Sequence, residues 1–452
     1  SLTMKDVTIT DCKTEGKAAG VYVNKGKDLT LLENCKIEKC KGKGDGSSGG
    51  INIQEPTGMV SIKDTEIENC EAEANGGGIN LNNVNNVQCK LENVKVDNCS
   101  ALRGGGLHVK AGTLTISGGS FTSNLASGVI ANGGGGAIYS EGAEITITGC
   151  TIGGNGSDSS NRAARGGGIF ISGAAAECIL STGTKISGNS ATRLSPDKGN
   201  GGGVYIENGS CTMNNVLVTE CTADVGGAVY VNEGTFSISG GTRITPSSGG
   251  EEQISGKNDV YLKSGKVITV TGNLTAQNPI ARITPENYPA GSATVTVLEG
   301  AAVTTEYTKF TVTDQAGTPS KKWQINASGE LEAVGGQSPA VTVSDWQTLR
   351  QKVTSAHDGD VIEVTEDITY NWDSTESTIK VNKNITVKST ESHKYILNAH
   401  GTGVDGGAAN YKVKGIFEVE NGKTLTLEHL ILTGTETSAV SVAQNSSLTM
   451  KD

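Results

Sequence analysis

The feature that most constrains this fold is a glycine run followed by an aliphatic residue, which recurs about every 30 residues through the first 260. Periods of roughly 20–50 residues are typical of solenoids and propellers. Around each run lie three short segments of alternating apolar and polar residues, separated by Gly, Asn or Asp. Such alternation predicts strands with one buried face. The aliphatic residues that end the runs are Val21, Ile51, Ile79, Leu107, Ile138, Ile169, Val204 and Val229.

A second marker keeps the same period, because an aliphatic or aromatic residue stands three positions before a Cys or Asn in each repeat. Three strands per repeat without a helical segment predict an all-β fold, a right-handed parallel β-helix with three strands per coil. Coils of this kind stack at about 4.8 Å, so each inward residue lies on its equivalent in the next coil. We therefore predict a core ladder of the eight aliphatic residues and a corner ladder of Cys12, Cys40, Cys70, Cys99, Asn124, Asn155, Asn189 and Cys221.

The composition agrees with many short buried segments. Glycine supplies 63 of 452 residues, and a tight corner needs glycine where φ is positive. The apolar share of 35% is too high for a disordered chain. No run approaches the length of a membrane span, and no export signal is visible at residues 1–6. A net charge of −11 argues against nucleic acid as a partner.

Two short motifs carry a resemblance to a known family. Gly135–Ile138 and Gly166–Ile169, together with Phe121–Asn124, resemble the paired repeats of bacterial polymorphic outer-membrane proteins, over roughly residues 1–260. The resemblance implies a secreted β-helical adhesin at the cell surface or outside the cell. This chain departs from that pattern, because only Phe121 supplies the family's Phe and Cys replaces Asn in five of eight coils.

Residues 344–369 have a different character. Trp346, Leu349 and Val353 lie at helical spacing behind a possible Ser344 cap. The segment resembles the start of pectate-lyase-like β-helices, where a short helix closes the first coil. We predict β-helix coils over 1–280, a small closing β segment over 281–334, a linker over 335–343, and the capping helix with the first coils over 344–452.

The hexapeptide Ser1–Asp6 recurs unchanged as Ser447–Asp452, which gives a period of 446 residues. We expect a tandem array in which residue 452 continues into the equivalent of residue 7 of the next copy. The expected partners are therefore further copies of the same repeat, end to end, with a host or glycan ligand as a further possibility.

The ten cysteines and the acidic residues do not predict a reactive site. The sequence has no Cys-x-x-Cys motif, and this spacing argues against a thiolate zinc site. We therefore expect free thiols that fill the core, and no metal or cofactor. The five histidines share no register. Asp64, Glu66 and Glu68 alternate, which is typical of a solvated acidic face.

These patterns predict a non-catalytic structural repeat of a long extracellular filament, stalk or fibrous surface adhesin from a bacterium. The alternative is a β-helix that binds or cleaves carbohydrate, which would require clustered carboxylates beside an Arg or Lys on one sheet. A third reading is an adhesin with a host ligand, contacted by the longer loops at 153–165 and 193–203.

Overall fold

The computed structural model forms two compact units, Ser1–Glu332 and Ala333–Asp452, which we call unit 1 and unit 2. It describes residues 2–25, 30–44, 46–128, 133–154, 159–191, 199–245, 255–290, 293–316, 321–334, 341–370, 378–389, 393–402, 410–412, 415–435 and 438–451.

Unit 1 is a right-handed parallel β-helix whose strands form four long sheets. Sheet 1 contains Leu2–Lys5, Thr30–Glu33, Val60–Lys63, Val84–Glu92, Gly112–Ser117, Ala143–Thr148, Glu177–Ser181, Ser210–Asn214, Thr235–Gly240, Ile268–Leu274 and Leu298–Glu299. Sheet 2 contains Thr8–Thr10, Lys36–Glu38, Glu66–Glu68, Lys95–Asp97, Ser120–Thr122, Thr151–Gly153, Lys185–Ser187, Leu217–Thr219 and Arg243–Ile244.

The other two sheets complete each coil. Sheet 3 contains Lys13–Thr14, Lys41–Gly42, Glu71–Ala72, Ser100–Ala101, Leu125–Ala126, Arg162–Ala163, Ser190–Ala191 and Thr222–Ala223. Sheet 4 contains Val21–Asn24, Ile51–Gln54, Ile79–Asn82, Leu107–Val109, Ile138–Glu141, Ile169–Ser172, Val204–Ile206, Val229–Val231, Val260–Leu262, Ala281–Pro285 and Phe310–Val312. The predicted fold class is confirmed, and sheet 3 adds a two-residue strand to the three predicted strands of each coil.

The core of unit 1 runs along the stack. The eight aliphatic residues of the core ladder occupy equivalent positions in sheet 4, where each pairs with the next in direct register. All eight are buried, and inward and outward residues alternate along each strand. A continuous column of aliphatic contacts therefore holds the coils together.

Glycine serves two separate purposes at the corner before sheet 4. Gly104 has a φ of +58°, which favours glycine at this corner. Its neighbour Gly105 has an ordinary φ, but a Cβ there would lie 2.5 Å from the backbone of Leu125 in the next coil. The predicted need for positive φ thus accounts for one glycine of the run, and close approach of two backbones accounts for the next.

The end of unit 1 differs from the predicted domain boundary. Ala281–Pro285 and Phe310–Val312 continue sheet 4, and Leu298–Glu299 continues sheet 1. The stack therefore extends beyond residue 280. Ile283 and Leu298 are buried inward side chains that lie on Val260 and Ile268 of the preceding coil. A short helix, α1 (Val303–Glu306), a 3-10 turn (Tyr307–Lys309) and a two-stranded sheet of Trp323–Ile325 and Leu331–Ala333 follow.

Unit 2 contains helix α2 (Trp346–Ser355) and three short parallel sheets. Trp346, Leu349 and Val353 are buried against the unit 2 core, as predicted, but the N-cap is Asp345 and not Ser344. Sheet 5 contains Val341–Val343, Val361–Val364, Ile385–Ser389, Thr424–Glu428 and Ser447–Lys451; sheet 6 contains Ile368–Thr369, Tyr395–Asn398 and Leu430–Thr433; sheet 7 contains Ile379–Val381, Phe417–Val419 and Val440–Val442. An antiparallel pair, His400–Thr402 and Asn410–Lys412, completes the unit.

The predicted linker at 335–343 is described only from Val341, where the first strand of sheet 5 begins. None of the helices in the described ranges has the length and apolar character needed to cross a membrane.

Candidate functional site

The corner ladder is a column of side chains between sheets 2 and 3. Each member directly precedes a paired residue of sheet 3, and this register fixes the column. The column contains Cys12, Cys40, Cys70, Cys99, Asn124, Asn161, Asn189 and Cys221. Asn155 lies outside the described residues, and Asn161 occupies the position predicted for it. An insertion moves the ladder residue from three to nine positions after Ile152.

Asparagine amides in this column link adjacent coils. Asn161 Nδ2 donates to the carbonyl of Phe121 at 2.8 Å, and Asn161 Oδ1 accepts from the backbone N–H of Asn124 at 2.9 Å. The thiols make a weaker version of the first bond, since Cys99 Sγ lies 3.6 Å from the carbonyl oxygen of Ile67. Cysteine and asparagine therefore exchange along the ladder because both donate to the preceding coil.

The ten cysteines are free thiols, and nine of them are buried. Burial raises the pKa of Cys150 and of Cys221 to about 12. A hydrogen bond with Cys70 and then burial raise the pKa of Cys40. These groups stay protonated near neutral pH, which makes them poor nucleophiles and poor metal ligands. Cys12 is half-buried, because within the described residues no coil covers it.

His108 lies on the outer side of sheet 4 in a column of stacked side chains. Its Nδ1 is 2.9 Å from Asn80 Oδ1, its Nε2 is 3.4 Å from Glu141 Oε2, and its ring stacks on Tyr139 at 5.4 Å. Burial lowers the pKa of His108. The column continues through Phe170, Tyr205, Tyr230 and Tyr261 with ring separations near 5 Å. The rings cover one another and form a small second core outside the main one.

The predicted acidic face is divided between ion pairs. Glu66 Oε1 lies 2.9 Å from Lys95 Nζ, and Glu68 Oε2 lies 3.3 Å from Lys36 Nζ. Asp64 accepts a hydrogen bond from Asn93 at the adjacent corner. In the described part of the chain, no group of three or more His, Cys, Asp or Glu residues is arranged to hold a metal ion.

The duplicated hexapeptide forms a strand in both units. One copy pairs with the strand of the following coil, and the other pairs with the strand of the preceding coil. Leu2–Lys5 pairs with Thr30–Glu33, the strand one coil later in the sequence. Ser447–Lys451 pairs with Thr424–Glu428, the strand one coil earlier. Each is the last strand of its sheet among the described residues. A strand inside a parallel β-helix has both kinds of partner, and each copy of the hexapeptide has one of the two.

The same face of the strand points inward in both copies. Leu2 and Met4 pack against the unit 1 core, and Leu448 packs against the unit 2 core. Met450, equivalent to Met4, is 73% exposed. In the described structure, the last coil of unit 2 ends in inward-facing apolar side chains that no further coil covers, namely Leu430, Leu432, Val440, Val442, Leu448 and Met450.

The corners that follow Leu2–Lys5 and Thr424–Glu428 also match. Asp6 and Asp11 both have a φ of +55°, five residues apart. In the last full coil of unit 2, His429 has a φ of +54° and Gly434 a φ of +82°, at the same spacing. The coil that contains Thr424–Glu428 therefore has positive φ at the same two corners as the coil that contains Leu2–Lys5.

One outward column contains Lys451 in unit 2 and Lys5 in unit 1. The sign of the charge in this column alternates from coil to coil. In unit 2 the register pairs Glu363 with Lys388, Lys388 with Glu428, and Glu428 with Lys451. In unit 1 it pairs Lys5 with Glu33, Glu33 with Lys63, and Lys63 with Glu92. Three of these contacts are ion pairs: Glu428–Lys451 at 2.7 Å, Lys5–Glu33 at 3.6 Å and Lys63–Glu92 at 3.0 Å.

We call this outward column the charge ladder. Lys5 and Lys451 occupy the same position of the hexapeptide. If the two strands are superimposed as one, the ladder runs through seven residues of alternating sign without a break. Sequence reasoning identified the duplication but missed the ladder. The signal in the sequence is that Lys and Glu alternate at equivalent positions of successive coils.

Comparison with known proteins supports the fold. Residues 49–245 match the family described as "Right handed beta helix region". No curated protein matches the chain. Two solved structures are similar at 10% identity: the PL6 family alginate lyase AlyGC, with a TM-score of 0.19 over 98% of this chain and 69% of that one, and a point mutant of the same enzyme, with a TM-score of 0.18 over 100% and 72%. Likeness at this level carries no argument about activity.

Proposed function

We propose that this chain is a structural tandem-repeat unit of a long extracellular filament, stalk or fibrous surface adhesin, and that it is not an enzyme. The observation that carries the proposal is the duplicated strand, whose two copies are paired on opposite sides. Overlap of the two copies gives one strand with both partners, so unit 2 of one copy continues into unit 1 of the next. Partners are then further copies of the same repeat.

Two properties of the overlap support it. The inward faces agree, so Leu2 and Met4 would cover the unit 2 core where Leu448 and Met450 now lie. The charge ladder also remains in register, because Lys5 lies between Glu428 and Glu33 instead of beside a like charge. Opposite charges directly across adjacent strands stabilise the pairing, and like charges oppose it.

A chain of stacked coils suits an extended structural role. Nearly all backbone groups of the interior strands bond to the coils on either side, and each coil contacts only its neighbours. The free thiols and the ion-paired acidic residues supply packing and charge balance. The location outside the cell rests on the resemblance to secreted β-helical proteins and remains a prediction.

A recombinant chain of two copies, residues 1–452 followed by 7–452, allows the joint to be tested at Cys12. A coil of the preceding copy would cover Cys12 of the second copy, as Cys12 covers Cys40. We expect iodoacetamide at pH 8 to label Cys12 of the second copy at least about ten times more slowly than Cys12 of the first. A Lys13→Arg marker in the second copy separates the two tryptic peptides by mass.

Buried Cys40 is the internal control and should remain unlabelled in both copies. Equal labelling of both Cys12 residues, with Cys40 protected, would show that the coils do not continue across the joint and would overturn the proposal.

A further inference from the structure

The strand paired with Thr424–Glu428 has the same sequence as the first strand of unit 1. This identity has a consequence for separate chains. Leu2–Lys5 and Leu448–Lys451 are the same four residues. Backbone bonds, the inward leucine and the outward lysine are therefore available to the edge of Thr424–Glu428 from either strand. The edge has no chemical means of distinguishing its own strand from that of another copy.

We propose that a separate copy of this chain joins here by strand replacement: its strand Leu2–Lys5 takes the place of Ser447–Lys451 beside Thr424–Glu428. This inference rests on the proposed joint and extends it from covalently linked copies to separate chains. The partner is a second copy of this chain, and the binding surface is the last coil of unit 2.

The resident strand covers little of this surface. Leu448 is half-buried, Met450 is exposed, and the side-chain polar contacts of the strand include the Glu428–Lys451 ion pair and a 2.8 Å hydrogen bond between Thr424 Oγ1 and Ser447 Oγ. An incoming copy brings further strands of the same coil. Thr8–Thr10 would lie over Leu430–Thr433, and Val21–Asn24 over Val440–Val442.

Those extra strands cover apolar side chains that the resident strand leaves exposed. Leu430, Leu432 and Val440 are only partly buried in unit 2, and Val442 is exposed. On the incoming side, Ile9 and Cys12 are partly buried for the same reason. Replacement thus exchanges one strand pair for a full coil of contacts, and buried apolar area drives the exchange.

The charge ladder favours replacement over addition. If the incoming strand were added outside Ser447–Lys451, Lys5 would lie beside Lys451, a like charge. Replacement places Lys5 beside Glu428 and keeps Glu33 on its other side. Directly opposed like charges destabilise strand pairing, so the ladder selects the replaced arrangement.

The resident strand competes because it is tethered. Four residues, 443–446, connect it to Val440–Val442. A short tether gives an effective concentration on the order of millimolar, which a separate chain must match. The 452-residue chain is therefore protected from joining at low concentration, and weakening the resident strand should expose the edge.

The two equivalent leucines provide a matched test in the 452-residue chain. Leu448→Asp weakens the resident strand and should promote association, whereas Leu2→Asp weakens the incoming strand and should not. We expect sedimentation velocity to show association of Leu448→Asp at least about tenfold tighter than that of the unaltered chain. The double variant should return to the monomer.

A third variant separates inward from outward effects. Thr3→Asp lies on the exposed face of the incoming strand and, in the Leu448→Asp background, should leave association intact. Protection of Cys40 from alkylation reports that each variant is folded. A monomeric Leu448→Asp chain at about 100 µM, or a double variant that still associates, would overturn the inference. If the two-copy chain nevertheless protects its second Cys12, the tandem joint stands and strand replacement alone is wrong.

Discussion

Asn161 shows how a single side chain links three successive coils of unit 1. It is fully buried, donates to the Phe121 carbonyl and to Asn189 Oδ1, and accepts from the backbone of Asn124. Every polar atom of its amide is used. The buried amide at this corner therefore holds adjacent coils together.

We expect Asn161→Ala to lower the free energy of unfolding by about 3 kcal/mol, because it leaves the buried Asn124 N–H without a partner and removes the amide that donates to the Phe121 carbonyl and to Asn189 Oδ1. The measurement is denaturant unfolding. Asn214→Ala, which removes an exposed amide on the outer face of sheet 1, should change it by less than about 0.5 kcal/mol. Similar losses from both variants would contradict the role assigned to the corner amide.

At this scale the sequence predicted much of the site. The aliphatic ladder lies in direct register, because a period near 30 residues leaves little freedom in how coils stack. The corner ladder depended on a spacing of three residues, which holds wherever the corner is tight. After Ile152 the rule does not identify the ladder residue, because an insertion places Asn161, nine positions later, in the column. A spacing rule cannot detect an insertion that leaves the final geometry unchanged.

Helix α2 is the element that closes one end of the unit 2 core. Leu349 is fully buried among core residues of unit 2, and Asp345 accepts from the N–H of Thr348 at 2.8 Å. The sequence Ser344-Asp345 offers two capping residues in a row. Asp345 has the extended backbone of an N-cap, which places Trp346 at the first helical position. Composition could not decide between the two residues.

Leu349→Ala should lower the stability of unit 2 by about 3 kcal/mol, since it leaves a cavity beneath the helix. Hydrogen exchange of the amides in sheet 5 would report the loss. Gln347→Ala, on the exposed side of the same helix, is the matched control and should leave exchange nearly unchanged. Equal exchange in both variants would mean that the helix does not seal the core.

Element boundaries were least predictable where coils become irregular. The two-residue strands of sheet 3 carry too few residues for an alternation to be visible. Ala281–Pro285 contains Arg282 and a proline, so its sequence does not resemble the earlier repeats, yet it pairs with Val260–Leu262 in register. The pairing is set by backbone geometry and by inward Ile283, while the neighbouring Arg282 and Thr284 are buried and donate hydrogen bonds to Lys257 and Asp259.

At the scale of the whole molecule, ion pairs between coils make stability depend on pH. The hydrogen bond from Lys95 lowers the pKa of Glu66, so the folded value lies below the unfolded value near 4.3. The fold therefore favours the ionised carboxylate. This contribution is present above the unfolded pKa and is lost as pH falls through the folded pKa.

We expect the urea midpoint of unfolding to fall between about pH 5 and pH 3, and Glu66→Gln to reduce the size of that fall. Glu144→Gln, at an exposed outward position of sheet 1, should leave the pH profile unchanged. A profile that is equally steep in all three proteins would show that the intercoil pair does not contribute.

The direct register of sheet 4 also bears on how such a chain changes over evolutionary time. Each coil meets the next through nearly interchangeable aliphatic residues. Excision of one whole turn from the gene would leave two flanking turns that still match each other. The number of coils is thus free to drift by unequal recombination, and in the proposed tandem array the repeated hexapeptide would keep the phase in which successive copies meet.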